Sequence, residues 1–123
     1  MPVYNGATYL NDAIDSILNQ TFSDFQFLII DDGSTDDSVK IIKSYDDYRI
    51  RVVKNKNNLG QSATLNKGLE LARGKYIARM DQDDISMPER LKKQFEFMEN
   101  NSDIDLCGSW LQLMGKYDGI VEL

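Results

Sequence analysis

The chain has 123 residues, enough for one domain of ordinary size and too few for two. Hydrophobic residues make up 41% and charged residues 28%, the balance of a soluble globular protein able to bury a core, and the net charge of -6 argues against a general nucleic-acid binder. The absence of histidine removes the commonest general base and every Ser-His or Cys-His arrangement, so any metal must sit on oxygen ligands, which favours magnesium, manganese or calcium.

Met1-Pro2-Val3-Tyr4 reads as the end of a strand. Leu10, Ala13, Ile14, Ile17 and Leu18 recur at helical spacing, which predicts an amphipathic helix over about 8–20. Phe25 to Ile30 is a nearly continuous apolar run ending in the turn cluster Asp31-Asp32-Gly33-Ser34, the pattern of a strand buried on both faces. Thr35 or Asp36 can cap the next helix, which carries Val39, Ile42 and Tyr45 on one side. Ile50 to Val53 reads as a second full strand, and 55–58 as a polar loop. Ala63, Leu65, Leu69 and Ala72 predict a further helix with Gly74 at its C′ position. Tyr76 to Met80 reads as a third strand running into Asp81-Gln82-Asp83-Asp84. Ser86-Met87-Pro88-Glu89 has the form of a capping box with proline in the first turn, opening a helix whose Leu91, Phe95 and Met98 face the core. A last strand is expected over 105–114 and a hairpin turn over 115–119.

Strands alternating with helices of 10 to 15 residues imply βαβ units: an α/β, three-layer αβα, Rossmann-like fold with a mostly parallel sheet. Ligands of such sheets bind outside the strand C-termini. Tyr4-Asn5-Gly6, Asp31-Asp32-Gly33-Ser34 and Asp81-Gln82-Asp83-Asp84 all fall at that edge, crowding five carboxylates onto one rim. Like charges a few Å apart near a surface repel by about 1 to 4 kcal/mol, which a cation or a hydrogen-bonding ligand would relieve. One such loop alone reads as an ordinary Asp-rich turn. Asp81-x-Asp83 has the spacing to chelate a hard cation, since side chains two apart in an extended segment point the same way. Magnesium or manganese would take one or two carboxylates and complete its shell with phosphate oxygens and water.

Several stretches resemble the family 2 glycosyltransferases of GT-A fold: 1–6, 16–22, 30–36, Asn58-Leu59-Gly60, 66–69, 74–77, 81–84 and 87–91, in order and in spacing. The resemblance implies the N-terminal, nucleotide-sugar-binding part of an inverting transferase, 1–123 being one such domain. In that reading Pro2, Tyr4, Asp32, Asn66 and Asp81 belong to the nucleotide site. Tyr4 would lie against the base, and Asp32 would accept a hydrogen bond from it, most often from uracil. Asp83 would be the main ligand of a Mn2+ or Mg2+ ion, with Asp81 assisting it or approaching the ribose. Asp84 reads equally as a cap for the turn before Ser86. Where many family members carry an arginine before the asparagine, Leu65 stands here, which weakens any phosphate role for this segment; Lys67 reads as a solvated helix charge. The acceptor half and its catalytic base are expected downstream, Asp103, Asp105, Asp118 and Glu122 reading as surface charges. The chain alone is therefore expected to bind a nucleotide-diphosphate sugar, a UDP-sugar above others, and to transfer it poorly or not at all.

The implied acceptor is a surface polysaccharide or lipid-linked glycan, with the parent protein peripheral to a membrane. Cys107, the only cysteine, reads as a small buried residue in a strand and suits a reducing, cytoplasmic setting, with the inner membrane face as a site of action. No apolar run approaches the ~20 residues that span a bilayer, no signal peptide is visible, and both ends read as cut. Two other classes fit parts of the pattern. A receiver-like signalling domain would use Asp31-Asp32 and Asp81 as an acidic phosphoacceptor pocket. It would start on its Asp-pair strand and need a later strand ending in lysine, and neither is evident. A non-catalytic nucleotide-binding module of the same fold is the other.

Overall fold

The structure, a computed structural model, describes residues 1–113 and 119–121. Its elements in order are β1 (Pro2–Val3), α1 (Leu10–Leu18), β2 (Phe27–Asp31), α2 (Ser38–Ser44), β3 (Ile50–Lys54), α3 (Gln61–Leu71), α4 (Arg90–Asn100), β4 (Leu111–Leu113) and β5 (Gly119–Val121). The first three strands form a parallel sheet in the order β1-β2-β3, with Pro2 opposite Ile30 and Phe27 opposite Ile50.

The apolar stripe of α1 explains its packing. Leu10, Ala13, Ile14 and Ile17 are buried and meet Phe27 and Ile29 of β2, Val3 of β1 and Ile42 of α2 in one core. Each fully buried Leu or Ile there contributes on the order of 2 kcal/mol of apolar transfer. Ile30, next in β2, points to the opposite face because strand side chains alternate. There it meets α3, where Gly68 leaves room: a Cβ at that position would stand 3.4 Å from Ile30 Cδ1. Helices thus cover both faces of the sheet, the expected three-layer α/β arrangement.

Departures from expectation cluster after residue 72. Tyr76–Met80 joins no strand ladder. Side chains take its backbone neighbourhood instead: Arg90 Nη2 donates to Arg79 O (2.8 Å), and Gln82 Oε1 accepts from Tyr4 N–H (2.8 Å). α3 is capped by Ala72 in extended conformation, so Gly74 lies past the C′ position and has no positive φ. α4 starts at Arg90 with no side-chain cap, so the capping box does not form. The Ser86 amide donates to Ser16 Oγ (3.0 Å), and its hydroxyl contacts Met80 Sδ (3.2 Å) and accepts from Arg90 Nη1 (2.9 Å). No α4 side chain is fully buried; Phe95 instead stacks on Phe22, centroids 4.8 Å apart. Of the strand expected over 105–114, only Leu111–Leu113 forms, paired antiparallel with β5, and Cys107 lies outside any strand, half-buried. The expected turn at 115–119, Met114, Asp118 and Glu122 fall outside the described residues, Gly119 apart.

Candidate functional site

The rim at the C-terminal ends of β1 and β2 is built by side chains lashing one loop to the next. Asn5 takes a left-handed conformation (φ 49°), which asparagine tolerates better than most residues. Its Oδ1 accepts from the Thr35 amide (2.8 Å) and its own amide donates to Ser34 Oγ (3.0 Å). Gly6 N–H donates to the buried Ser38 Oγ (2.9 Å), and Ala7 N–H to Asp36 Oδ2 (3.0 Å). Asp36 Oδ1 accepts from Ser38 N–H, but the N-cap of α2 is Asp37, with no side-chain cap bond, rather than the expected Thr35 or Asp36. Gly33 holds φ 79°, and a Cβ on it would stand 3.0 Å from the backbone of both Asn57 and Asn58. Only glycine lets these two loops close together.

Asp32 lies under this junction, 3% exposed. Its Oδ1 accepts from Asn55 Nδ2 (2.8 Å) and Leu59 N–H (2.9 Å), and its Oδ2 from Gly60 N–H (2.9 Å). Burial pushes the carboxyl pKa up, but hydrogen bonds from Asn55, Leu59, Thr64 and Gly60 outweigh it and hold the group below the usual carboxylate range. Asp31, also buried, accepts from Ser34 N–H through Oδ1 and lies 3.9 Å from Lys54 Nζ through Oδ2.

The second acidic turn is held differently. Gln82 pairs its side-chain amide with the backbone of Tyr4, Oε1 accepting from Tyr4 N–H (2.8 Å) and Nε2 donating to Tyr4 O (3.1 Å). The amide thus occupies the free edge of β1 that a strand would otherwise fill. The turn closes through Asp84 N–H to Asp81 O (3.4 Å). Arg79 grips Asp81, Nη2 to Oδ2 at 2.9 Å. Asp83 and Asp84 are exposed. Partial burial of Asp84, then the charges of Asp81 and Asp83, push its pKa above the ordinary value, with Arg90 and Arg79 opposing. Behind the turn, the buried Gln20 fastens 86–91 to α1: Nε2 donates to Met87 O (2.8 Å) and Oε1 accepts from Leu91 N–H (3.0 Å).

Between the two turns lies a cavity of about 410 Å³ lined by Pro2, Val3, Tyr4, Asp32, Asn58, Gly60, Gln61, Asp81, Gln82 and Asp83. Five of the six residues singled out in the sequence line it. Asn66 does not: it is exposed on α3, about 200° around the helix from the buried Thr64. The start of α3, Gly60 and Gln61, reaches the cavity instead. Lys67 is not a free solvated charge either, since it donates to Asn55 Oδ1 at 2.6 Å. Asn55 and Gln82 had no local signal, because their partners lie across loops or far along the chain, and Arg79, whose partner Asp81 is two residues on, sits in a segment read as a strand. Among the described residues, no three acidic or sulfur side chains stand close enough to hold a metal by themselves. A hard cation still fits the chemistry of the 81–84 turn: two carboxylates at one cavity wall can supply a partial oxygen shell that ligand oxygens and water would complete.

Comparison with known proteins places this chain in a family. The family model described as Glycosyl transferase family 2 matches residues 1–118. An uncharacterized glycosyltransferase of Methanocaldococcus jannaschii is 47% identical over 99% of this chain and 43% of its own length. A Bacillus subtilis glycosyltransferase named for teichuronic acid biosynthesis, TuaG, is 40% identical over 82% of this chain and 41% of its own. Among solved structures, S. aureus TarS 1-349 in complex with UDP-GlcNAc superposes with a TM-score of 0.78 at 28% identity, over 82% of this chain and 30% of that one. The mannosyltransferase PcManGT of Pyrobaculum calidifontis, with GDP-Man and Mn2+, shares the fold at 21% identity and a TM-score of 0.72, over 79% of this chain and 30% of that one. The chain spans less than half the length of each of these relatives. These matches set aside the receiver-like alternative. The shared GT-A fold and the family match over 1–118 make this chain a member of glycosyl transferase family 2.

Proposed function

We propose that the cavity between the acidic turns binds a nucleotide-diphosphate sugar, and that residues 1–123 are the donor-binding part of an inverting transferase acting on a hydroxyl acceptor. The observation that carries the reading is the convergence of Tyr4, Asp32, Asp81 and Asp83 on one cavity. Tyr4, 45% exposed, offers a ring face to a nucleobase. Asp32, kept ionised, can only accept, which suits a base edge carrying an N–H, as in uracil. UDP-GlcNAc in TarS and GDP-Man in PcManGT support a nucleotide-sugar ligand without choosing between bases.

Asp83, with Asp81 once released from Arg79, would hold a Mn2+ or Mg2+ ion; Mn2+ accompanies GDP-Man in PcManGT. A bound divalent ion would neutralise the diphosphate and favour its departure. The residues of the chain bind and orient the donor. The base that deprotonates the acceptor hydroxyl lies, in this reading, in sequence beyond residue 123, so the 123-residue chain binds donor without turning it over. The proposed acceptor is a surface polysaccharide or lipid-linked glycan, in keeping with the name of TuaG, and the proposed setting is the cytoplasmic face of a membrane. Among the described residues no helix is long and apolar enough to cross one. Calorimetry with UDP and GDP, with and without Mn2+, tests the reading. Binding should tighten with the metal, and affinity that ignores it would remove the role given to Asp83. Robust sugar transfer by the 123-residue chain would overturn the placement of the base.

A further inference from the structure

Lys67 lies on α3 one turn beyond the buried Thr64 and does not line the cavity. Its ammonium donates to Asn55 Oδ1 at 2.6 Å. A lysine can only donate, so the amide oxygen of Asn55 must face it and the amide NH2 must face the other way. That NH2 meets Asp32 Oδ1 (2.8 Å) and Thr64 Oγ1 (3.2 Å), in a spot where Asn55 and Asp32 are each 3% exposed. Asn55 has no freedom to move off, because its own amide donates to Asp31 O (2.8 Å). The Lys67 ammonium and the Asp32 carboxylate thus fix the Asn55 amide from its two ends, and without the ammonium only the carboxylate end holds it. With Lys67 present, Asn55 Nδ2 and Leu59 N–H sit on Oδ1 and Gly60 N–H on Oδ2, and Thr64 adds to the support of the carboxylate.

We propose that Lys67 is a positioning residue for donor binding: through the amide of Asn55 it fixes the Asp32 carboxylate at the cavity wall as an acceptor for a nucleobase N–H. This rests on the reading of the cavity as a nucleotide site. The other charged or titratable groups around Asp32 are Asp31 with Lys54 beside it, Asp81 and Asp83 on the same cavity and the Tyr4 phenol. Three of these are carboxylates, whose mutual repulsion a cation behind Asn55 opposes.

The test is UDP affinity against pH for the wild type, Lys67→Met, Lys67→Arg, Asn55→Ala and the Lys67→Met/Asn55→Ala double variant, with thermal unfolding as a check on folding. Lys67→Met should weaken UDP binding by about three- to ten-fold at pH 7, the loss of one charge-assisted contact. It should also move the acid limb of binding to higher pH, because Asp32 loses support for its charged form. Lys67→Arg should stay within about two-fold of wild type, and the Lys67→Met loss should vanish once Asn55 is gone, as expected for residues acting in series. Unchanged UDP affinity in Lys67→Met, an acid limb that stays put, or an equal loss in the Asn55→Ala background overturns the proposal. So does a folded Lys67→Arg that binds as weakly as Lys67→Met. If wild type binds UDP and Asp32→Asn does not, while Lys67→Met is silent, only the role of Lys67 falls. If wild type does not bind UDP, the nucleotide reading falls with it.

Discussion

The two acidic turns face the same cavity but are held by opposite means. Asp32 is buried, and backbone and side-chain donors fill most of its capacity, so its charge is stabilised from within the protein. The 81–84 turn is half-buried at Asp81 and Gln82 and exposed at Asp83 and Asp84, follows a segment without ladder bonds and crowds Asp84 with like charge. A carboxylate that the fold already satisfies acts as a fixed acceptor; carboxylates left in mutual repulsion are those a cation can stabilise. In the proposed reading, recognition falls to the first turn and charge neutralisation to the second.

Breaking the first turn should cost the most. Asp32→Asn places an NH2 against a ring of donors and should destabilise the fold by about 2 to 4 kcal/mol in urea titration, with UDP binding lost. The sign of the pH dependence follows from the lowered pKa. The carboxylate of Asp32 contributes stability above its unfolded pKa near 4, and that contribution fades as pH falls through the lower folded value. A wild-type acid transition identical to that of Asp32→Asn would contradict this. Gly33→Ala comes next, at about 1 to 3 kcal/mol, from the positive φ and the 3.0 Å approach of the Asn57–Asn58 backbone. Gln20→Ala should cost about 1 to 2 kcal/mol, with faster amide exchange confined to 86–91; uniform exchange would deny its role as the fastener of that segment.

At the second turn the effects on stability should be small and those on ligand binding large. Asp83→Asn should change unfolding free energy by under about 0.5 kcal/mol while removing the metal-dependent part of UDP binding. Asp84→Asn should raise stability at neutral pH by no more than a few tenths of a kcal/mol after solvent screening, because a raised carboxyl pKa means the ionised form costs stability. That gain should disappear below about pH 4, where both states are protonated, and Mn2+ with UDP should reverse its sign.

What the sequence made legible follows the same division. α1, β2 and β3 announce themselves through apolar spacing, and the order of turns alone brings Tyr4, Asp32, Asp81 and Asp83 to one rim. Past residue 72 local signals lose to distant partners. The Ser86 hydroxyl is claimed by Met80 and Arg90 rather than by a helix N-terminus. Gln82 binds a backbone 78 positions away. Asn66 and Lys67 adjoin in sequence, yet only Lys67 shares the face of Thr64, and its partner Asn55 lies in a loop with no periodicity to reveal it.

The most direct test of the shared site is an NMR titration of the protein with UDP, followed by trace Mn2+. Shifts from UDP should map to Tyr4, Asp32, Asn58 and Gly60, and broadening by the ion should centre on Asp81 to Asp83 and reach Asp32 only when UDP is present. Broadening at the acidic clusters outside the cavity, or UDP shifts away from it, would contradict a single ligand joining the two turns.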